Sequence, residues 1–135
     1  MMKRRILSLG LLLMFSTIVF ISCDDTNTVD NIDSKVIPSS NVSYAEHLQP
    51  VFDIKCNTKG CHNDQEMAGG LSLTSYSNTT ADYLIVAPGD TTNSRLIWSI
   101  KGTSAYPMPP VGYPPLTQNQ IRGIVTWIKE GARNN

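Results

Sequence analysis

The chain has 135 residues, with 11 Lys plus Arg against 11 Asp plus Glu, 41% hydrophobic residues and three Cys, which suits one small domain and excludes two full ones. Zero formal net charge and the lack of a basic run remove the electrostatic footprint that nucleic-acid binding requires, because phosphates select clustered Lys and Arg.

Taken in chain order, residues 1–22 read as an export signal. Lys3, Arg4 and Arg5 precede an uncharged run from Ile6 to Ile21, shorter than the ~20 residues a bilayer span needs. Ser22 then precedes Cys23, which resembles the lipobox of bacterial lipoproteins, with Phe20-Ile21-Ser22 where Leu-Ala-Gly is usual. That resemblance implies a diacylated Cys23 as the mature N-terminus, on the periplasmic or cell-surface side of a bacterial membrane. An ordinary cleaved signal or an uncleaved anchor is the alternative. Two or more acyl chains hold a protein stably on a membrane where one is marginal.

Residues 23–42 are rich in Asp, Asn, Ser and Thr and show no sustained apolar period, so they read as a flexible, solvated membrane tether. The working domain is then 43–135. Its Leu, Ile, Val and Phe number only 18 of 93 residues, and Phe52 is its single Phe. A core this thin calls for a disulfide, a metal or another staple.

Ser43 and Glu46 form a capping-box pattern, with Leu48, Val51 and Phe52 following at helical spacing and Pro50 placed to kink or restart the helix. Next comes Cys56-Asn57-Thr58-Lys59-Gly60-Cys61-His62. Two cysteines with His directly after the second, in an exported chain, point to c-type haem attachment, for which the usual spacing is C-x-x-C-H. Two thiols form thioethers with the porphyrin vinyls, and the His becomes the proximal iron ligand. Here the spacing is C-x4-C-H, so two extra residues must loop out. Two other readings stay open: a plain disulfide between Cys56 and Cys61, or a four-ligand zinc site from His47, Cys56, Cys61 and His62, the latter disfavoured outside the cytoplasm where thiols oxidise.

Leu71 to Tyr83 reads as loop, Ser94 to Ile100 as a short helix and Tyr106 to Pro115 as loop. Of the two Met beyond the signal, Met67 lies too near His62 in sequence to reach the opposite haem face, whereas Met108 sits in Tyr106-Pro107-Met108-Pro109-Pro110, where prolines fix the backbone. Met108 is therefore the expected sixth ligand, with His47 as its weaker rival. Tyr106 and Tyr113 flank Met108 and are expected near the haem; Tyr76 and Trp98 are weaker candidates for that pocket, Arg95 is a candidate propionate partner, and Trp127 is expected in the core. The last helix has the plainest signals: Thr117 and Gln120 as capping box, Ile121, Ile124, Val125 and Ile128 on one face, and Gly131 as C-cap. Gly123 on that helix would permit close crossing by the first helix.

The ordered landmarks Pro50-Val51-Phe52, Gly69-Gly70-Leu71-Ser72-Leu73, Val86-Ala87-Pro88-Gly89-Asp90, Ser94-Arg95-Leu96-Ile97, Met108-Pro109-Pro110, Leu116-Thr117, Trp127-Ile128 and Gly131-Ala132 resemble the small cytochrome c domains of bacterial exported proteins, in particular the planctomycete-type modules. The resemblance implies an all-α, cytochrome c-like small helical domain around one haem, with long loops. It also implies one covalent haem c held by Cys56, Cys61, His62 and Met108, the last two on the iron. The expected function is one-electron transfer between exported redox proteins, with no enzyme activity unless an open sixth position allows peroxidase-like chemistry. A haem-free, disulfide-stapled surface binding module is the alternative.

Overall fold

A computed structural model describes residues 28–135; the export signal and Cys23 lie outside them. The described residues form helices and irregular segments with no strand, compatible with the all-α expectation. The helices are α1 (Val29–Ser34), a π-helical turn (Tyr44–Leu48) running into α2 (Gln49–Lys55), a 3-10 turn (Ala68–Gly70), α3 (Tyr76–Thr79), α4 (Arg95–Ile100) and α5 (Gln118–Lys129). None of them is long and apolar enough to cross a membrane.

The tether expectation needs correction over residues 28–42. Thr28 caps α1 by accepting the Asn31 N–H, and Ile32, Ile37 and Val42 are buried in the same cluster as Leu48, Phe52, Ile124 and Trp127. Glu130 accepts the N–H groups of Asn41 and Val42, and the Asn119 side chain exchanges two hydrogen bonds with Ile37. Composition failed here because Ile32, Ile37 and Val42 are spread through a stretch whose Asp, Asn and Ser keep its average hydropathy low, yet each of the three reaches the core. The folded body thus begins well before Ser43.

Local chemistry explains the other elements. Ser43 caps its turn by accepting the Glu46 N–H, but the reciprocal bond comes from elsewhere: the Ser43 N–H donates to Nδ1 of His47. Pro50 stands in the first turn of α2, where its missing N–H is harmless, so it restarts the helix. On α5 the capping box of Thr117 and Gln120 is complete. The helix ends in a Schellman motif, with Gly131 N–H on the Ile128 carbonyl and Ala132 N–H on that of Trp127; Gly131 takes φ +96°, a conformation that suits glycine.

The buried stripe of α5 is Gln120, Gly123, Ile124, Trp127 and Ile128, one position round from the face that hydropathy selects. Ile121 and Val125 are only half-buried. Gly123 does permit a close approach, but the partner is Ile37 and not a crossing helix: a Cβ at 123 would lie 2.6 Å from Ile37 Cγ2. Gly123→Ala is therefore expected to destabilise by about 1–3 kcal/mol through overpacking, outweighing the ~1 kcal/mol helix-propensity gain. Urea unfolding checks it, and in an Ile37→Ala background the penalty should vanish.

Leu71–Tyr83 is not wholly loop, since α3 is a short helix capped by Ser75. Four aromatic rings fill the thin core: Tyr44 lies 6.1 Å from Phe52, 5.3 Å from Tyr76 and 5.4 Å from Trp127, centroid to centroid.

Candidate haem-binding site

Helix α2 delivers the first cysteine. The N–H groups of Cys56 and Asn57 both bond to the Phe52 carbonyl, at 2.8 Å each, so the chain leaves the helix in a widened, π-type last turn. The two extra residues of the motif are absorbed at once. Cys61 N–H closes on the Thr58 carbonyl at 3.0 Å, a β-turn whose third residue, Gly60, has φ +82°. His62 N–H then returns to the Cys56 carbonyl at 3.0 Å. The longer spacing thus folds out as a turn and leaves Cys56 and His62 tied together.

The Gly69-Gly70-Leu71-Ser72-Leu73 segment braces this loop. Leu73 N–H donates to the His62 carbonyl at 2.8 Å, and the Leu73 carbonyl accepts from the side chains of Gln49 and Asn57. His62 Nδ1 lies 3.3 Å from the Leu71 carbonyl. A carbonyl only accepts, so Nδ1 carries the proton and Nε2 keeps its lone pair for a ligand, the arrangement that orients metal-binding imidazoles. Asp64 anchors the far side of the brace: hydrogen bonds from Ser72, then Thr74 and Asn78, hold its carboxyl below the usual range.

Cys56 and Cys61 are not bonded to each other in this structure. Cys56 retains some exposed surface, but burial among the surrounding chain pushes its thiol up to about 12, with nearby Cys61 adding to the rise and Lys55 opposing it. The zinc grouping does not assemble. Among the described residues no three His, Cys, Asp or Glu side chains are gathered to hold a metal ion, and His47 is occupied as the acceptor for Ser43. The same contact weakens His47 as rival sixth ligand.

Met108 is half-buried in the exposed Pro-rich loop, with its N–H on the Ser99 carbonyl of α4 at 2.9 Å. Met67 is exposed, at a left-handed backbone position. Tyr106 and Tyr113 flank Met108 and are exposed, as are Trp98 and Arg95. Tyr76 instead belongs to the core cluster, its hydroxyl donating to the Ala132 carbonyl. Among the described residues, seven of the eight exposed large apolar side chains fall from Met67 to Tyr113, so the stretch carrying the candidate ligand Met108 is rich in apolar surface that the other described residues leave uncovered.

Sequence reasoning missed a polar knot beside Cys56. The Lys55 side chain is 0% exposed and pairs with Asp33 at 2.5 Å, while also donating to the Pro115 carbonyl and to Gln120 Oε1. No local signal announces it, because its members come from three stretches far apart in sequence, at 32–33, 55 and 115–120.

The donor set suits a c-type haem: two free thiols, an imidazole held by Nδ1 with Nε2 available, and a thioether on a backbone-anchored loop. Residues 59–112 match the family described as Planctomycete cytochrome C, a stretch that takes in Cys61, His62 and Met108. No curated protein and no solved structure matches the chain. A cytochrome c match suggests a haem cofactor and electron transfer, and over this helical body it supports a planctomycete-type cytochrome c module in this chain.

Proposed function

We propose that the protein is a lipid-anchored, mono-haem c-type cytochrome that passes single electrons between exported redox proteins. One observation carries this reading: a His directly after the second of two free thiols, its Nδ1 pinned on the Leu71 carbonyl so that Nε2 is left for iron. In it, Cys56 and Cys61 would hold the porphyrin through thioethers, and His62 and Met108 would supply the nitrogen and sulfur that ligate the iron. The bound iron supplies a one-electron couple, and a thioether ligand raises its potential.

The chain's own groups do the rest. The Leu71 carbonyl fixes the imidazole orientation and tautomer, and the Thr58–Cys61 turn with the His62-to-Cys56 hydrogen bond sets where the two sulfurs stand relative to the ring. The apolar side chains from Met67 to Tyr113 would exclude water from the group. With His62 and Met108 both on the iron, no position would be left open for oxygen or peroxide chemistry, so we read the protein as a carrier and not an enzyme.

Export and lipidation at Cys23 complete the proposal. Because Thr28, which caps α1, is five residues after Cys23, a lipidated Cys23 would hold the folded body within roughly 18 Å of the membrane surface, the reach of five residues at full extension. The carrier would therefore work against membrane-bound partners.

A pyridine haemochrome spectrum tests the assignment on protein from membranes of a c-type-maturing host, after acid–acetone extraction. Wild type is expected to retain near-stoichiometric haem, and Met108→Ala to retain it too while turning high-spin with a lowered potential. No retained haem in wild type, with thiols blocked until reduction, would favour the disulfide-stapled surface module instead.

A further inference from the structure

The knot around Lys55 is more than a stapled core. Burying an ammonium is costly, and an apolar side chain of similar volume usually serves stability as well or better, so its placement calls for another account. The three protons of Nζ find three acceptors on three separate segments: Asp33 Oδ1 at the end of α1, the Pro115 carbonyl at 2.6 Å, and Gln120 Oε1 at 3.2 Å on α5. Gln120 closes the knot from the other side, its amide donating to the Ile32 carbonyl and to Asp33 Oδ1 while its oxygen also accepts the Thr117 N–H. Lys55 itself directly precedes Cys56.

The Pro115 contact links this knot to the ligand loop. Met108 is fastened through its own N–H to Ser99, and Pro115, seven residues further on, is fastened through its carbonyl to Lys55. Between them Pro110, Val111, Gly112, Tyr113 and Pro114 are exposed, so packing does little to hold that half of the loop. We propose that Lys55 is a positioning residue for the sixth iron ligand: its buried ammonium holds the Met108 loop by the Pro115 carbonyl, from a point adjoining Cys56. The proposal rests on the haem reading above.

The test uses the haem-loaded, full-length protein and the variant Lys55→Met, which keeps the side chain's length and removes its donors. Imidazole binding to the ferric protein reports how readily the Met108 sulfur is displaced. The variant is expected to bind imidazole at least tenfold more tightly than wild type and to show a lowered potential. Because an unpaired Asp33 could unfold the single variant, Asp33→Leu/Lys55→Met is measured beside it. This pair removes both charges yet still leaves Pro115 without its donor, so it should regain stability and keep the tighter imidazole binding. A folded double variant with wild-type affinity and potential would overturn the proposal and leave Lys55 a structural residue. Absence of covalent haem in wild type would overturn the haem reading itself. Hydrogen exchange at Val111, Gly112 and Tyr113 in the haem-free chain would then decide the loop contact, with unchanged rates in Lys55→Met overturning it.

Discussion

Trp127→Ala is expected to destabilise the domain by ~3–5 kcal/mol, the usual cost of truncating a fully buried aromatic. The side chain is 0% exposed. Its ring meets Tyr44 at 5.4 Å and Tyr76 at 6.5 Å, and its Nε1–H donates to the Arg133 carbonyl beyond the helix end. Truncation therefore opens a cavity at the centre of the aromatic group, strips Tyr44 and Tyr76 of a neighbour, and frees the C-terminal tail that Trp127 clasps. A domain of this size has only about 5–15 kcal/mol in total, so the variant should sit near the edge of folding. Urea unfolding of the haem-free protein measures the change. Trp127→Phe separates the two parts, because it keeps most of the apolar volume and loses the hydrogen bond to Arg133; its loss should be about 1–2 kcal/mol. A cost below 1 kcal/mol for Trp127→Ala would mean that the four-ring cluster is not the core.

How much of this was legible in the sequence depends on the range of the interactions concerned. The capping box at Thr117, the Gly131 terminator, the restart at Pro50 and the helix after Ser94 all rest on contacts within five residues, and each is where the sequence places it. The two cysteines and His62 lie within seven residues and can be picked out as a short motif, whereas Met108 lies 46 residues beyond His62 and is marked only by its neighbouring prolines. The hidden features are long-range. Ile32 and Ile37 look like stray apolar residues in a polar stretch, and only the fold shows that Ile37 occupies the notch left by Gly123. Gln120 is buried although its side chain is polar, since its amide is fully engaged with Ile32, Asp33, Lys55 and Thr117. Hydropathy therefore turned the α5 face by about one residue. Lys55 was unreadable for the same reason: a buried cation is recognised by its acceptors, and Asp33, Pro115 and Gln120 are 22, 60 and 65 residues away.

Cys56 of the haem-free chain is expected to alkylate about a thousandfold more slowly in the folded state than in the unfolded one near pH 8. The thiolate is the reacting form, and burial pushes the folded thiol from its ordinary 9.0 up to about 12, which lowers the thiolate population by about three powers of ten. Cys61 stands on the half-exposed turn that Gly60 shapes, so mass spectrometry of iodoacetamide-treated protein should find it modified first. The same displacement has a consequence for stability, whose sign follows from proton binding. Between about pH 9 and 12 the folded chain holds the Cys56 proton more tightly than the unfolded chain does. The stability this provides is complete below pH 9 and falls as pH rises through that window. Tyr44, whose hydroxyl burial also pushes to about 12 from 10.0, falls away in the upper part of the same range. Urea midpoints should thus decline above pH 9, and Cys56→Ala should flatten the first part of that decline while leaving the Tyr44 part. Equal alkylation of Cys56 in folded and unfolded chains would show that its thiol stands open to solvent. Failure of both cysteines to react until a reductant is added would show that the pair closes as a disulfide, and the site would then lack the free sulfurs that haem attachment consumes.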